Sequence, residues 1–374
     1  MSSLLPPFTQ KGSEISFPSA PSAQSAHSNT GLPLRIDGAT PRRRGALVIS
    51  LDFELHWGVR DLHPLTPSIR SRMLATRTVI PQILALFDEF SIHASWATVG
   101  FLFARSRKEA EAFSPQLRPG YSNPCMQAYL EQLGTNEHDD PFHFAPSLIQ
   151  SIARHAGQEI ASHSFSHYYC MEDGQRREEF EADLQSAIAI AANSGYTLKS
   201  YVFPRNQLNP EYLHSLHQGG FTSYRANQPL SGHKAASFAE QRRPDRRIVR
   251  LVDTFVNLSG DQTFEWPNDS ALLSIPASHY LRRYHTLRSL FEPLLISRIE
   301  GAIRHAAVHG KLFHLWWHPE DFALYPNDNL RVLRRILELF VHYRDHYQMS
   351  SLTMGEVAQT VQAHSPAILN NEVA

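Results

Sequence analysis

From residue 45 onward, short apolar runs alternate with longer segments of helical period. The runs ALVISLD (46–52), HASWATV (93–99), QEIASH (158–163), KSYVFP (199–204), FTSYRA (221–226), ALLSIPA (271–277), LFHLWW (312–317) and QMSSLT (348–353) predict strands. Between them, apolar positions recurring every three or four residues predict amphipathic helices near 69–90, 145–156, 175–194, 209–217, 286–308 and 327–346. Several strand runs are apolar almost throughout, which suits a parallel sheet covered on both faces. Roughly eight strand–helix units predict an α/β fold, with a barrel preferred over a doubly wound open sheet. Two stretches exceed a minimal barrel, 103–144 and 227–270, and both read as long loops or small insertions of the kind that often carry function.

Residues 1–44, rich in Ser, Pro and Ala, cannot build a core and read as a disordered tail ending in the basic cluster Arg42, Arg43 and Arg44, itself a solvated charge run before an acidic-partner site. A catalytic domain over 45–360 and a short tail over 361–374 complete the expected organisation. With a formal net charge of −1, the 374-residue chain has no global basic field to draw it to nucleic acid, and a small polar substrate is the better expectation. Cys125 and Cys170 lack a paired or CxxC spacing, so neither is expected to be structural. The start MSSLLPPFTQKG lacks the basic and apolar regions of a signal peptide, and no later run is apolar enough for a bilayer. A cytoplasmic protein without membrane insertion is expected; an oligomer is compatible with the sequence.

The candidate chemistry gathers at strand ends. In ISLDFELHWG, Asp52 and Glu54 lie two apart, hence on one face at the carboxyl end of a strand. Two carboxylates there repel and suffer desolvation unless a cation lies between them or a basic group pairs with one. Alternatively, Glu54 has left the strand for solvent and Asp52 caps the next element. In HSFSH, His163 and His167 stand four apart after another strand, a spacing at which two imidazoles can converge on one metal ion. A carboxylate with two histidines leaves a coordination position for water, the pattern of a catalytic zinc site. Arg205 in FPRN could hold a carboxylate such as Asp52 ionised, or could be a surface turn residue.

In LWWHPED, His318 falls at a strand end, with Glu320 or Asp321 available to orient it. His314, on the same face but deeper, reads as a core histidine. Trp317 could stack on a sugar or belong to the core. The cluster His138, Asp139, Asp140 and His143 reads as solvated loop.

These four sites, in this order, resemble the polysaccharide deacetylase family, the carbohydrate esterases of NodB homology. LDFE corresponds to its acidic first motif, HSFSH to its two histidines, FPRN to its arginine–proline motif and LWWHP to its last histidine. The resemblance covers roughly 45–355. It implies a distorted (β/α) barrel of seven or eight strands and a divalent metal, expected to be zinc, on Glu54, His163 and His167. It also implies Asp52 as general base, Arg205 as its orienting partner and His318 as general acid; Trp317, Asn206 and Trp57 are candidates for binding the substrate. Two departures stand out: Phe53 separates an acidic pair that is commonly adjacent, and Arg205 follows Pro204 where the family arginine precedes it. Asp253, Glu320 and Asp321 are candidates for the acid that tunes His318.

The activity implied is removal of an N-acyl group, expected to be N-acetyl, from an amino sugar in a glycan or glycan precursor. Hydrolysis of a non-sugar amide or cyclic imide is the enzymatic alternative, and a catalytically silent carbohydrate-binding protein the alternative from another class.

Overall fold

A computed structural model describes residues 43–229 and 231–364; residues 1–42 of the expected N-terminal tail and residues 365–374 of the C-terminal one lie outside the described residues. The strands are β1 (Ala46–Phe53), β2 (Ala94–Thr98), β3 (Gln158–Ser162), β4 (Ser200–Tyr201), β5 (Ser223–Ala226), β6 (Leu273–Pro276), β7 (His279–Tyr280), β8 (Leu312–Trp317) and β9 (Ser350–Leu352). The helices are α1 (Pro67–Phe90), α2 (Arg107–Phe113), α3 (Pro146–Arg154), α4 (Arg177–Asn193), α5 (Leu213–Gln218), α6 (Phe238–Gln241), α7 (Pro244–Phe255), α8 (Glu292–His309), α9 (Pro319–Phe322), α10 (Pro326–Tyr347) and α11 (Met354–Ala363).

Each of the eight expected strands is present. β7, a pair of residues after a two-residue gap, is too short to show in a periodicity. The 227–270 stretch, expected as loop, contains α6 and α7, and the 103–144 stretch contains α2.

All strand pairings are parallel, in the order β6-β5-β4-β3-β2-β1-β8-β7, with β9 also on β1. The residues of β1 divide one edge, Ala46–Val48 pairing with β9 and Ser50–Phe53 with β2. At the far ends of the order the sheet curls round to meet itself. Ala277 N–H donates to Ala226 O and Ser278 N–H to His314 O, each at 2.8 Å, so one run of chain passes from the β5 edge to the β8 edge. The result is a distorted (β/α) barrel.

Alternation sorts each strand into an inner and an outer face. On β1 the outer residues Leu47, Ile49, Leu51 and Phe53 join the large core beneath the surrounding helices. The inner residues Ala46 and Val48 meet Ala97, Val202, Ile275 and Leu312, with Met354 and Val357 of α11 closing the floor of the barrel. Fully burying a large apolar side chain is worth about 1.5–3 kcal/mol, so both layers hold the strands firmly. Further along, the inner face of β1 turns polar, through Ser50 to Asp52, and there the site begins.

Candidate active site

The chain leaves β1 in a tight turn that aims Glu54 across the barrel mouth. Leu55 has a positive φ of 47°, and both Glu54 N–H and Leu55 N–H donate to Glu320 Oε1, at 3.1 and 2.6 Å. Gly58 lies directly beneath the Glu54 carboxylate; a Cβ there would fall 1.6 Å from Glu54 Oε2. On the next strand but one, the HSFSH turn carries positive φ at Ser164 (61°) and His167 (57°). Asp183 of α4 holds that turn, accepting from Phe165 N–H at 2.7 Å, Ser166 N–H at 3.0 Å and the Ser166 hydroxyl. Burial raises Asp183 to about 6.

The two turns bring three expected ligands together. Glu54 Oε1 stands 2.8 Å from His163 Nε2 and 3.0 Å from His167 Nε2, all three residues buried. His163 Nδ1 donates to Val202 O at 2.8 Å, which fixes the ring with its Nε2 toward the carboxylate. Burial lowers His167 to about 4, which favours the uncharged ring. Burial works against the charge of Glu54 too, yet the surrounding histidines hold it well below the usual carboxylate range. Two imidazole lone pairs facing one carboxylate oxygen form a donor set that fits a divalent cation.

Asp52 is paired, but not with the expected arginine. Arg225 of β5 grips it bidentately, Nη1 to Oδ1 at 2.6 Å and Nη2 to Oδ2 at 2.7 Å. The same guanidinium donates to Ser50 Oγ and Asn206 Oδ1, each at 3.0 Å, and lies 4.2 Å over the Trp316 ring. Burial would raise Asp52, but chiefly Arg225 keeps it below its ordinary value. Arg205 instead donates to Asp61, at 2.6 and 2.8 Å, between the rings of Tyr169 and Phe238. It sits in a turn at a positive φ of 54° and lines the same cavity as Asp52.

His318 stands opposite the ligands, with Nε2 3.8 Å from both Asp52 Oδ2 and Glu54 Oε1. Of the three acids proposed from sequence to tune it, Asp321 is the one in reach, 3.6 Å from Nδ1, and it accepts from the Tyr280 hydroxyl and from Arg72 at 3.1 Å. Glu320 is spent on the β1 turn, and Asp253 on Arg298 at 3.0 Å. Partial burial disfavours the imidazolium, but Glu54, Asp321 and Asp52 outweigh it and raise His318 to about 10. His314 is the expected core histidine, bonded to Ser50 Oγ at 2.8 Å.

Three further expectations need correction. Trp317 faces outward from β8 and is fully buried against Phe322 and Phe87, whereas Trp316, on the inner face, lines the cavity. Trp57 is also fully buried, stacked on Phe101 at 4.2 Å with its Nε1 donating to His143 O, and offers no surface to a substrate. Within the loop cluster, Asp140 and His143 are buried and joined at 2.8 Å, with His143 in turn 2.9 Å from His56, although His138 and Asp139 face solvent as expected. Asn206 lines the cavity and accepts from Arg225 at 3.0 Å. Cys125 and Cys170 are both free thiols.

A cavity of about 740 Å³ opens on Asp52 and His318 and is walled by Asn206, Trp316 and Tyr280 on the barrel side and by α7 on the other. Among the described residues no helix is long and apolar enough to cross a membrane.

A family model described as polysaccharide deacetylase matches residues 72–224, a span that contains His163, His167 and Arg205 and excludes Asp52, Glu54, Arg225 and His318. No curated protein matches the chain. A structure from Mycobacterium smegmatis assigned as a polysaccharide deacetylase superposes with a TM-score of 0.56 at 15% identity, covering 90% of this chain and 98% of that one. Another assigned the same way, from Pseudomonas aeruginosa PAO1, gives 0.50 at 14% identity over 86% and 91% of the two chains. At such identities the likeness is one of fold. Over residues 72–224 the chain is thus similar in sequence to the polysaccharide deacetylase family, and over most of its length it shares the barrel of structures assigned to that family.

Proposed function

We propose that this protein is a metal-dependent hydrolase that removes an N-acetyl group from an amino sugar of a glycan or glycan precursor. The observation that carries the reading is the convergence of Glu54, His163 and His167 within 3.0 Å, flanked by the Asp52–Arg225 pair and His318 at the mouth of one cavity. A divalent ion on those three ligands, zinc by the nature of the donor set, would supply the charge that acidifies a water and polarises the acyl oxygen.

The chain's own residues account for the proton movements. Asp52, kept ionised by Arg225, takes the proton of the attacking water. Arg225 also fixes the direction of that carboxylate, since both of its oxygens are held by the guanidinium fork. His318 holds a proton at Nε2 on the other side of the reacting carbon and delivers it to the departing amine, while Asp321 orients the ring through Nδ1. Trp316 and Asn206 wall the place where the sugar would lie.

The test is elemental analysis combined with acetate release. About one divalent ion per chain, lost in both His163→Ala and His167→Ala, together with chelator-sensitive release of acetate from an N-acetylated sugar, is the expected result. Sugar binding without turnover in the metal-loaded protein would replace this reading with that of a carbohydrate-binding protein.

A further inference from the structure

We propose that the cavity beside Asp52 and His318 contains a phosphate-binding subsite built from Lys234, Arg247, Arg250, Arg282 and Arg288, so that the amino sugar arrives as a phosphate ester and not as a neutral glycan. This inference rests on the deacetylase reading for what the cavity delivers to the reacting centre, but not for the binding itself.

The charges lining the cavity do not balance. Its two acids are already engaged, Asp52 by Arg225 at 2.6 Å and Asp253 by Arg298 at 3.0 Å. Among the described residues none of the five cations is within ion-pair distance of a carboxylate, although the chain as a whole carries 36 acidic residues against 35 Lys and Arg. Elsewhere on the surface arginines find partners: Arg331 with Glu292 at 2.6 Å, and Arg105 with Glu109 at 2.6 Å.

Local structure sets these cations side by side. Arg282 donates through Nε to Thr254 Oγ1 at 2.7 Å and through Nη2 to the Arg250 carbonyl at 3.2 Å. Arg247, Arg250, Leu251 and Thr254 lie at helical spacings of three, four and seven, so α7 turns one face to the cavity. Burial, and then the charge of Arg282, lower Arg250 from its ordinary value, which is the signature of a cation lacking its counterion.

Unneutralised cations on concave walls focus their field into the space between them. A neutral sugar leaves that field unanswered. A phosphate or diphosphate supplies several oxygens with the geometry that guanidinium forks match, and more charge than a single carboxylate. The rim adds Ile248 and Leu251, which are 61% and 42% exposed, so the group beyond the phosphate meets an apolar edge. A nucleoside and a hydrocarbon carrier are both compatible with that edge, and the phosphate is what they share.

The first test is calorimetric titration of pyrophosphate into the full chain, before and after chelator treatment, for the wild type and for Arg247→Gln/Arg288→Gln. Among the described residues neither of those side chains donates a hydrogen bond, so the pair can be exchanged without breaking one. Binding in both metal states, weakened about tenfold or more in the variant and by added salt, is expected. No binding, binding only in the metal-loaded chain, or binding untouched by the variant would overturn the subsite.

The second measurement is acetate release from free N-acetylglucosamine, its nucleotide diphosphate ester and its polyprenyl phosphate ester. The variant should raise KM for whichever ester is used, about tenfold, with kcat retained and with no change for the free sugar. Free sugar processed as efficiently as both esters would overturn the inference and leave the deacetylase reading intact. Pyrophosphate binding by a protein that releases acetate from none of the three would leave the subsite standing and remove that reading.

Discussion

Two arginines at the barrel mouth each bond both oxygens of an aspartate, Arg225 through two nitrogens and Arg205 through Nη2 alone. Arg225 holds Asp52 at 2.6 and 2.7 Å, and Arg205 holds Asp61 at 2.6 and 2.8 Å. They differ in what stands next to the pair. Arg225 comes from the inner face of a strand, so its carboxylate points at Glu54 and His318. Arg205 comes from a turn with positive φ, clamped between Tyr169 and Phe238, and its carboxylate belongs to the loop after β1. An Arg–Asp pair therefore holds a carboxylate beside Glu54 and His318 in one place and ties down the rim in the other.

Arg225→Gln should produce the largest effect, because it leaves Asp52 buried without its counterion. A loss of about 3–5 kcal/mol in denaturant unfolding is expected, with turnover down about a hundredfold or more. Full activity in a folded Arg225→Gln protein would break the distinction between the two pairs. Gly58→Ala should separate chemistry from stability. The new methyl displaces the tip of Glu54, a flexible group, so metal affinity falls about a hundredfold while the unfolding free energy changes by less than about 1 kcal/mol. Competition with a chromogenic chelator and a denaturant titration would read the two quantities on one sample.

Arg205→Gln is expected to cost about 2 kcal/mol, as one charge-assisted bond set and two ring contacts are lost. Turnover should stay within about tenfold of the wild type, with KM absorbing most of the change. Comparable losses of turnover in Arg205→Gln and Arg225→Gln would again erase the difference.

Among the described residues no arginine pairs with the Glu320 carboxylate, and it behaves in the opposite sense to Asp52. Burial, and next the charge of Glu54, raise it from 4.5 to about 7. A carboxyl raised on folding binds its proton more tightly in the native state. Its contribution to stability is whole below pH 4.5 and is lost as pH climbs through 7. Gln keeps the acceptor for Glu54 and Leu55 N–H and abolishes the titration. Glu320→Gln should therefore gain on the wild type by about 3 kcal/mol between acid pH and pH 8. Parallel Tm–pH curves for the two proteins would contradict that.

Much of this site is legible in the sequence because strand ends announce it. Glu54, His163, His167 and His318 each follow an apolar run, and the barrel gathers all such ends on one face. Arg225 was missed because a charge inside FTSYRA looks like an exposed position of an edge strand. Parity with Ser223 was the available signal, since both turn to the same inner face as Asp52. The two tryptophans of LFHLWW teach the same lesson: the alternation that puts His314 and His318 inside also puts Trp316 inside and Trp317 out. Gly58 carried no readable signal, as its role depends on a carboxylate that passes over it only in the folded turn. Helix α7 hid because its cationic face, turned to a cavity, has the pattern of a face turned to water.

The seam at Ala277 and Ser278 has a bearing on solubility. Edge strands expose unpaired N–H and C=O groups that recruit other chains. Here the residues that follow β5's partner go on to become β8's partner, so each margin of the curled sheet is occupied by the same stretch of polypeptide. Loosening that stretch would uncover β5 and β8 together, two sticky margins at once, which makes residues 273–280 the place where damage to this barrel would turn most directly into aggregation.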